Sequence, residues 1–254
     1  MVEDKRVGNT VFIDANPLLG LSWLQLFPGR ALIGAAHSGS ICMIQRNPSS
    51  GGLQKLHLYQ PFNQLSSLSA NATNDYFVAS GFTHELGVFD MNRNFPIKLI
   101  NSAHEHFINI SRFANTHPHL IATASFDSTC KLWDLRQQRD DRPCCTLHTG
   151  GLNVMCAFSP DDRFLLASGV DTRLLQYQVG YPDAPANKFS NLFRRPLVTS
   201  RYRRSVYFAN SKCFVTGATD EGHVNIVGVQ GEHLGRLQIT SAALSEKYFR
   251  RAPP

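Results

Sequence analysis

The sequence contains no long apolar run, which sets a first limit on the class of protein. A helix that crosses a membrane needs about 20 consecutive apolar residues, and no uncharged stretch of the 254 residues has that character. Residues 1–9 also lack the basic-then-apolar order of a secretory signal peptide, since Glu3 and Asp4 come before Lys5 and Arg6. We therefore expect an intracellular protein, located in the nucleus, the cytoplasm or both.

Cysteines are few and none lies in a paired motif. The six cysteines include no Cys-x-x-Cys spacing, so neither a zinc site nor a disulfide framework is indicated, and we expect reduced thiols. Motifs for nucleotide binding and nucleophilic catalysis, such as a P-loop or a Gly-x-Ser-x-Gly turn, are absent. These absences predict a protein with no catalytic residues, no bound metal and no cofactor.

Acidic residues are outnumbered by basic ones, and part of the excess is concentrated in one segment. The chain has 25 Lys and Arg against 19 Asp and Glu. Arginine can bind phosphates while a neighbouring aromatic ring stacks on a base. The basic segment lies at residues 193–205, which we expect to form a surface loop. This loop contacts nucleic acid, or else it is a solvated basic loop that touches an acidic partner or nothing. Its candidate contact residues are Arg194, Arg195, Arg201, Tyr202, Arg203 and Arg204.

Short hairpins recur along the chain at a nearly constant distance. Each has small residues, a polar turn and an alternating apolar strand that ends on a bulky side chain. Their last residues lie at positions 44, 89, 133, 177 and 227, so the successive separations are 45, 44, 44 and 50. A period of about 40–45 residues with four short strands per unit is typical of β-propeller blades. We therefore predict an all-β propeller with five recognisable blades.

The length of the chain bears on whether the ring of blades is complete. Seven blades of this period need more than 254 residues, whereas five leave a small remainder. We expect residues 1–240 to form the propeller, as an incomplete or shortened seven-bladed ring. Within it, residues 11–23 help to complete the first blade and residues 231–239 supply a final outer strand. Residues 241–254 are expected to form a C-terminal tail with a short amphipathic helix.

The third hairpin and its flanks combine a histidine, a hydroxyl, an aspartate and a tryptophan: His104, Thr123, Asp127 and Trp133. This pattern resembles that of the WD-repeat family, in which the four positions form a hydrogen-bonded network inside a blade. The resemblance implies a structural role for them, because buried polar groups need partners and such a network fixes strand register. The other blades depart from the pattern, since the turn aspartate or the tryptophan is replaced at Ser38, Thr83, Glu221, Ile44, Phe89, Tyr177 and Val227.

The third hairpin ends in the sequence Trp133-Asp134-Leu135-Arg136. Residues 121–136 are similar to the sixteen-residue box of WD proteins that dock onto the large damaged-DNA-binding adaptor of cullin-4 ubiquitin ligases. The resemblance implies adaptor binding by Arg136, with Asp134 and Leu135 beside it and with Asp127 and Trp133 as supports. A guanidinium at the end of a rigid strand presents several fixed donors and is a frequent hot-spot group.

A wider resemblance bears on function. Residues 104–175 resemble plant WD-repeat proteins counted among the substrate receptors of cullin-4 ligases. More weakly, residues 133–137 and 158–161 resemble the small subunit of the UV-damaged-DNA-binding complex. These resemblances imply a substrate receptor, in which one face docks the adaptor and another recruits an unknown protein target. Two alternatives stay open: a general WD-repeat scaffold without a ligase link, and a DNA- or chromatin-binding propeller that uses residues 194–204.

Overall fold

The chain folds into sheets throughout the part that the structure describes. This computed structural model describes residues 18–49, 51–93, 95–137, 142–170, 174–179, 187–188, 203–207, 211–218 and 222–238. These residues form five four-stranded antiparallel sheets, each built from consecutive strands. No helix in this part of the chain is long and apolar enough to cross a membrane. The predicted all-β architecture with five blades is confirmed.

Each blade uses its strands in chain order, from the centre of the propeller to the rim. Blades 1 and 2 contain β1 (Leu18–Trp23), β2 (Arg30–Ala35), β3 (Ile41–Arg46), β4 (Leu53–Tyr59), β5 (Ser67–Ala70), β6 (Tyr76–Ser80), β7 (Leu86–Asp90) and β8 (Pro96–Ile100). Blades 3 and 4 contain β9 (Ile108–Phe113), β10 (Leu120–Ser125), β11 (Thr129–Asp134), β12 (Cys145–His148), β13 (Asn153–Phe158), β14 (Phe164–Gly169), β15 (Leu174–Gln178) and β16 (Asn187–Lys188). Blade 5 contains β17 (Arg203–Tyr207), β18 (Cys213–Ala218), β19 (His223–Gly228) and β20 (His233–Gln238).

The innermost strands pack side by side and thereby fix the order of the blades. β1 contacts β5, β5 contacts β9, β9 contacts β13, and β13 contacts β17. Because neighbouring strands of a blade run antiparallel, the first and third strands of every blade end at the same face of the propeller. We call it the arginine face, because Arg46, Arg93 and Arg136 lie at or just beyond the ends of the third strands of blades 1 to 3. The turns that join second to third strands lie at the opposite face.

The hydrophobic core lies between neighbouring sheets. All six residues of β13 are buried, because this strand is covered on both of its faces. Leu32 of blade 1 packs in one cluster with Leu65 and Phe77, while Leu132 of blade 3 shares another cluster with Phe158 of blade 4. Burying a large apolar side chain contributes about 1.5–3 kcal/mol. The sheets are therefore held face to face by apolar contacts between blades.

Hydrogen bonds at the arginine face add a polar link between blades. Asp162 has a left-handed φ of 57° in the first turn of blade 4. Its buried carboxylate accepts the backbone N–H groups of Asn115 at 2.7 Å and Thr116 at 2.6 Å, both in blade 3. Asn74, with φ of 56° in blade 2, accepts the N–H of Leu26 in blade 1 at 2.7 Å. A side chain in the first turn of one blade thus accepts hydrogen bonds from the first turn of the blade before it.

The first and last strands of the partial ring, β1 and β20, keep large apolar side chains exposed. Trp23 and Leu21 of β1 are 65% and 60% exposed, and Leu237 of β20 is 56% exposed. In a complete propeller every blade has a neighbour on both sides, which leaves fewer such side chains exposed. The described residues therefore agree with the expected partial propeller.

The predictions for the ends of the chain have different outcomes. The first blade uses β1, which overlaps the predicted segment 11–23, and β20 matches the predicted outer strand at residues 231–239. Residues 241–254, with the predicted tail helix, lie outside the described residues.

Candidate docking site

Blade 3 brings together the four residues of the predicted hydrogen-bonded network. The indole Nε1 of Trp133 donates to Thr123 Oγ1 at 3.0 Å, and Thr123 Oγ1 lies 2.6 Å from His104 Nε2. His104 Nδ1 lies 2.8 Å from Asp127 Oδ2, and Asp127 Oδ1 also accepts the hydroxyl of Thr129 at 2.7 Å. The chain of contacts joins the segment before β9 to β10, to the turn after it and to β11.

The partners of this network assign its protons. The ionised Asp127 carboxylate can only accept, so His104 Nδ1 donates to it, and the unprotonated Nε2 of the neutral ring then accepts the hydroxyl proton of Thr123. Burial lowers the pKa of His104, which keeps the ring neutral in this arrangement. Burial opposes ionisation of Asp127, but hydrogen bonds from His104 and Thr129 outweigh it and hold the Asp127 pKa well below its usual range. Every polar group of the network therefore has a partner, as a buried group requires.

This network anchors the end of β11, where the predicted docking residues lie. Trp133 is buried and packs in one cluster with Val78 and Ile121, and partly buried Leu135 packs against that cluster. The N–H of Leu135 donates to the carbonyl of His119 at 3.0 Å. The backbone that carries Asp134 and Arg136 is thus fixed by packing below it and by hydrogen bonding beside it.

Arg136 projects from this anchored turn into solvent. Its side chain is 72% exposed and forms a two-point ion pair with Asp134, with Nε to Oδ1 at 2.9 Å and Nη2 to Oδ2 at 2.6 Å. The hydrogen bond from Arg136 lowers the pKa of Asp134, and Asp134 in turn raises the pKa of Arg136. The remaining N–H donors of the guanidinium can reach a partner that approaches the arginine face.

The structure also shows a neighbouring arginine that sequence reasoning missed. In blade 2 the third strand ends at Asp90, and Arg93 lies 3.7 Å from the Asp90 carboxylate with a side chain that is 58% exposed. The signal in the sequence is Phe89-Asp90, which stands where blade 3 has Trp133-Asp134, but the arginine comes one position later. The arginine face therefore carries two acid-paired arginines on adjacent blades.

A central cavity opens at the same face. It has a volume of about 490 Å³ and is lined by the ends of the innermost strands of all five blades. Its polar lining includes Arg112, Asn115, Asn71 and Gln25. The cavity lies beside the turns that a partner of the arginine face would cover.

The predicted arginine-rich contact segment is only partly within the described residues. Arg194, Arg195, Arg201 and Tyr202 lie outside them. Arg203 and Arg204 were predicted in a loop, but they belong to β17, where they pair with Ala218 and Gly217 of β18. The loop placement was wrong for these two residues, because pairing with β18 extends the strand to Arg203, whereas their contact with nucleic acid or an acidic partner stays a prediction.

The cysteines offer no reactive centre among the described residues. All six are free thiols, and burial raises the pKa of Cys130 far above its usual value and that of Cys156 to about 12. In the part of the chain that the structure covers, no group of three or more His, Cys, Asp or Glu residues could hold a metal ion. The side chains with the best geometry for binding are those of the arginine face.

Comparisons with known proteins agree with this architecture. Residues 97–134 and 142–177 match the family described as WD domain, G-beta repeat. The chain is 35% identical over 221 residues to Protein DWD HYPERSENSITIVE TO UV-B 1 of Arabidopsis thaliana. This match covers 84% of the chain and 28% of that protein. The chain is 38% identical over 77 residues to DNA damage-binding protein 2 of Mus musculus, which covers 30% of this chain and 18% of that protein.

The chain thus spans less than a third of the length of each of these two relatives. The first matched segment runs from β8 of blade 2 to the end of β11 in blade 3, and the second runs from β12 of blade 3 into β15 of blade 4. With five sheets packed through their innermost strands, the chain is a WD-repeat protein whose described residues form a partial β-propeller.

Proposed function

We propose that this protein is a substrate receptor that docks through its arginine face onto the large damaged-DNA-binding adaptor of a cullin-4 ubiquitin ligase. The observation that carries the proposal is Arg136, an exposed guanidinium held in a two-point ion pair at the end of an anchored strand. The resemblance of residues 121–136 to the sixteen-residue docking box supports it. Similarity to a protein whose name contains DWD, and to a DNA damage-binding protein, supports it further.

Rigid presentation is what makes Arg136 a good anchor. An interface residue contributes most when little side-chain freedom is lost on binding. Asp134 already restrains the guanidinium, and Trp133 and Leu135 restrain the backbone beneath it. Arg136 therefore acts as the docking residue, Asp134 as its positioning residue, and Leu135 as the packed residue that connects the turn to the core.

The chemistry of the face also sets the kind of surface that it binds. Arg46 and Arg93 extend the positive rim to blades 1 and 2, and Arg93 lies 6.0 Å from the ring of Phe95. A partner with carboxylates or backbone carbonyls at matching positions would accept hydrogen bonds from the remaining N–H groups of these guanidinium groups. The propeller would then act as a scaffold, and the transfer of ubiquitin would be carried out by other subunits of the complex.

The test is binding of the purified chain to the purified adaptor, measured by calorimetry for wild type, Arg136→Lys and Arg136→Glu. Circular dichroism first shows that the three proteins are equally folded. We expect Arg136→Glu to weaken binding at least tenfold, about 1.4 kcal/mol, and Arg136→Lys to weaken it less, since lysine keeps the charge and loses the planar fork. A folded wild type that does not bind would leave a general WD-repeat scaffold as the function.

A nucleic-acid role is the second candidate, and we assign it to the arginine-rich segment. Residues 194–204 carry five arginines and Tyr202, and the last two of these arginines are the first residues of β17. Phosphate binding releases counterions, so affinity for a labelled DNA duplex should fall steeply between low and high salt. A flat salt dependence would point to an acidic protein partner of this segment. We further assign residues 1–240 to the propeller and 241–254 to a separate tail, and we propose an intracellular location in the nucleus, the cytoplasm or both.

A further inference from the structure

A cluster of aromatic side chains lies at the face opposite Arg136. We call it the aromatic patch, and it consists of Phe82, His106, Phe107 and Phe126. Phe82 and Phe107 are 41% and 39% exposed, and their rings meet edge to face at 6.4 Å. The ring of His106 lies 4.6 Å from that of Phe107 and 6.0 Å from that of Phe126. The patch therefore spans the turns of blades 2 and 3.

The segment that carries the patch is held from both sides. On the side of blade 2, Ile108 donates its N–H to the carbonyl of Thr83 at 3.2 Å. On the side of blade 3, Phe126 donates its N–H to the carbonyl of Phe107 at 3.3 Å, and the hydroxyl of Ser125 donates to the carbonyl of His106 at 3.1 Å. Exposed aromatic rings on such a fixed backbone are preorganised for contact. Aromatic side chains in this setting are typical interface anchors.

The charges around the patch are mainly acidic. Glu105 is exposed, Glu85 is half-buried, and the ionised carboxylate of Asp127 accepts the N–H of Glu105 at 3.1 Å. The nearby Lys131 uses its Nζ to donate to the carbonyl of Ala103 at 2.8 Å, within the same segment. Aromatic faces and carboxylates together attract cations. The surface therefore suits a partner that combines an apolar anchor with basic side chains, and it suits phosphate groups poorly.

We propose that the aromatic patch binds a segment of a partner protein that carries an apolar side chain next to Lys or Arg. This inference rests on the proposed function, since it assigns the target-recruiting surface to the face opposite the adaptor. The apolar side chain would contact Phe82 and Phe107, and the basic side chain would lie against Glu105. The two binding events then occur at opposite ends of the same blades and do not compete.

Selection of a random peptide display library on the purified chain tests the proposal. The best enriched peptide is then synthesised with a dye, and its affinity is measured by fluorescence anisotropy. We expect enriched peptides to place an aromatic or aliphatic residue close to Lys or Arg. Binding should weaken at least about tenfold in the double variant Phe82→Ser/Phe107→Ser, as expected for loss of hot-spot anchors.

Two further variants make the test specific. Phe95→Ser is the matched control, because Phe95 is 59% exposed at the arginine face, and it should leave peptide affinity unchanged. Glu105→Lys reverses a surface charge and keeps the hydrogen bond to Asp127, which comes from the backbone N–H of residue 105, and it should weaken binding of the basic peptide. This variant keeps the test decisive even if the double variant folds poorly.

The adaptor assay separates failure of this inference from failure of the proposed function. The double variant should still bind the adaptor, and Arg136→Glu should still bind the peptide. The proposal is overturned if no peptide is enriched, or if affinity is equal in the patch variants and in Phe95→Ser. It is also overturned if labelled oligothymidine binds the patch more tightly than any peptide, because the partner would then be a nucleic acid.

Discussion

The guanidinium of Arg136 and the carboxylate of Asp134 form a two-point ion pair, with contacts of 2.9 Å and 2.6 Å, at the exposed end of β11. The two residues are separated only by Leu135, which packs against the core. The pair is exposed to solvent, so its contribution to folding stability is small. Its value lies in the direction that it gives to the arginine side chain.

Removing the carboxylate therefore affects docking more than folding. In Asp134→Ala, Arg136 regains rotamer freedom, and immobilising it on binding should weaken adaptor affinity about fivefold, since ordering such a side chain costs roughly 0.5–1.5 kcal/mol. The urea unfolding midpoint should stay close to that of wild type. A binding assay beside a urea titration checks both, and an unchanged affinity would show that Asp134 does not position Arg136.

Thr123 is central to the stability of blade 3. In Thr123→Val, Trp133 Nε1 loses its acceptor and His104 Nε2 loses its donor, and both groups are buried. Leaving buried polar groups without partners costs about 1–3 kcal/mol each. We expect a clear decrease in the free energy of unfolding, measured by urea titration followed by Trp fluorescence. Thr123→Ser, which keeps the hydroxyl, is the control, and equal stability of the two variants would contradict the network.

The same network predicts how stability depends on pH. Burial lowers the pKa of His104 below its usual value of 6.5, so the unfolded chain binds this proton more readily than the folded chain does. The contribution of neutral His104 to the free energy of unfolding is therefore fully present above pH 6.5 and is lost as the pH falls below that value. The lowered pKa of Asp127 acts in the same direction at more acidic pH. Thermal unfolding of wild type between neutral and mildly acidic pH should show the loss.

The variant His104→Gln is the control for this pH dependence. It lacks the titrating imidazole, so its melting temperature should vary less with pH over the range just below 6.5. Parallel pH profiles for wild type and His104→Gln would show that another group is responsible.

The link between blades 3 and 4 depends on Asp162. Replacing it with alanine removes the buried carboxylate that accepts the N–H groups of Asn115 and Thr116, and losing these hydrogen bonds to a charged acceptor should lower stability by about 1–3 kcal/mol. Asp161→Ala at the exposed neighbouring position should cost less, because the Asp161 carboxylate makes its contacts within its own turn, to Ser159 and Arg163. Calorimetric unfolding of the two variants compares them directly, and equal losses would argue against the interblade link.

The parts of the fold that were predictable from sequence are local. The hairpin of β10 and β11 could be recognised because small residues, a polar turn and a tryptophan-ended strand follow one another directly. Its recurrence at a nearly constant period then indicated the blades. The strand assignment of Arg203 and Arg204 was missed, because a run of arginines in sequence is typical of a solvated loop. Only the pairing with β18 places them in a strand.

The candidate surfaces show the same division between local and distant information. Arg136 could be proposed as the docking residue from sequence because its motif is contiguous with Trp133. The aromatic patch was missed because Phe82 and Phe107 come from turns of different blades, and only the packing of β6 and β9 places them side by side. Arg93 was missed because it follows Asp90 by three positions, whereas Arg136 follows Asp134 by two.

The central claim is that Arg136 is the docking residue, and the most direct test compares charge reversal at two arginines of the same face. Surface plasmon resonance on immobilised adaptor would measure Arg136→Glu and Arg93→Glu against wild type. Both arginines are exposed and each pairs with an aspartate of its own blade, so the variants are closely matched. We predict a loss of at least about tenfold for Arg136→Glu and a clearly smaller loss for Arg93→Glu. Equal losses, or a larger loss for Arg93→Glu, would contradict the assignment.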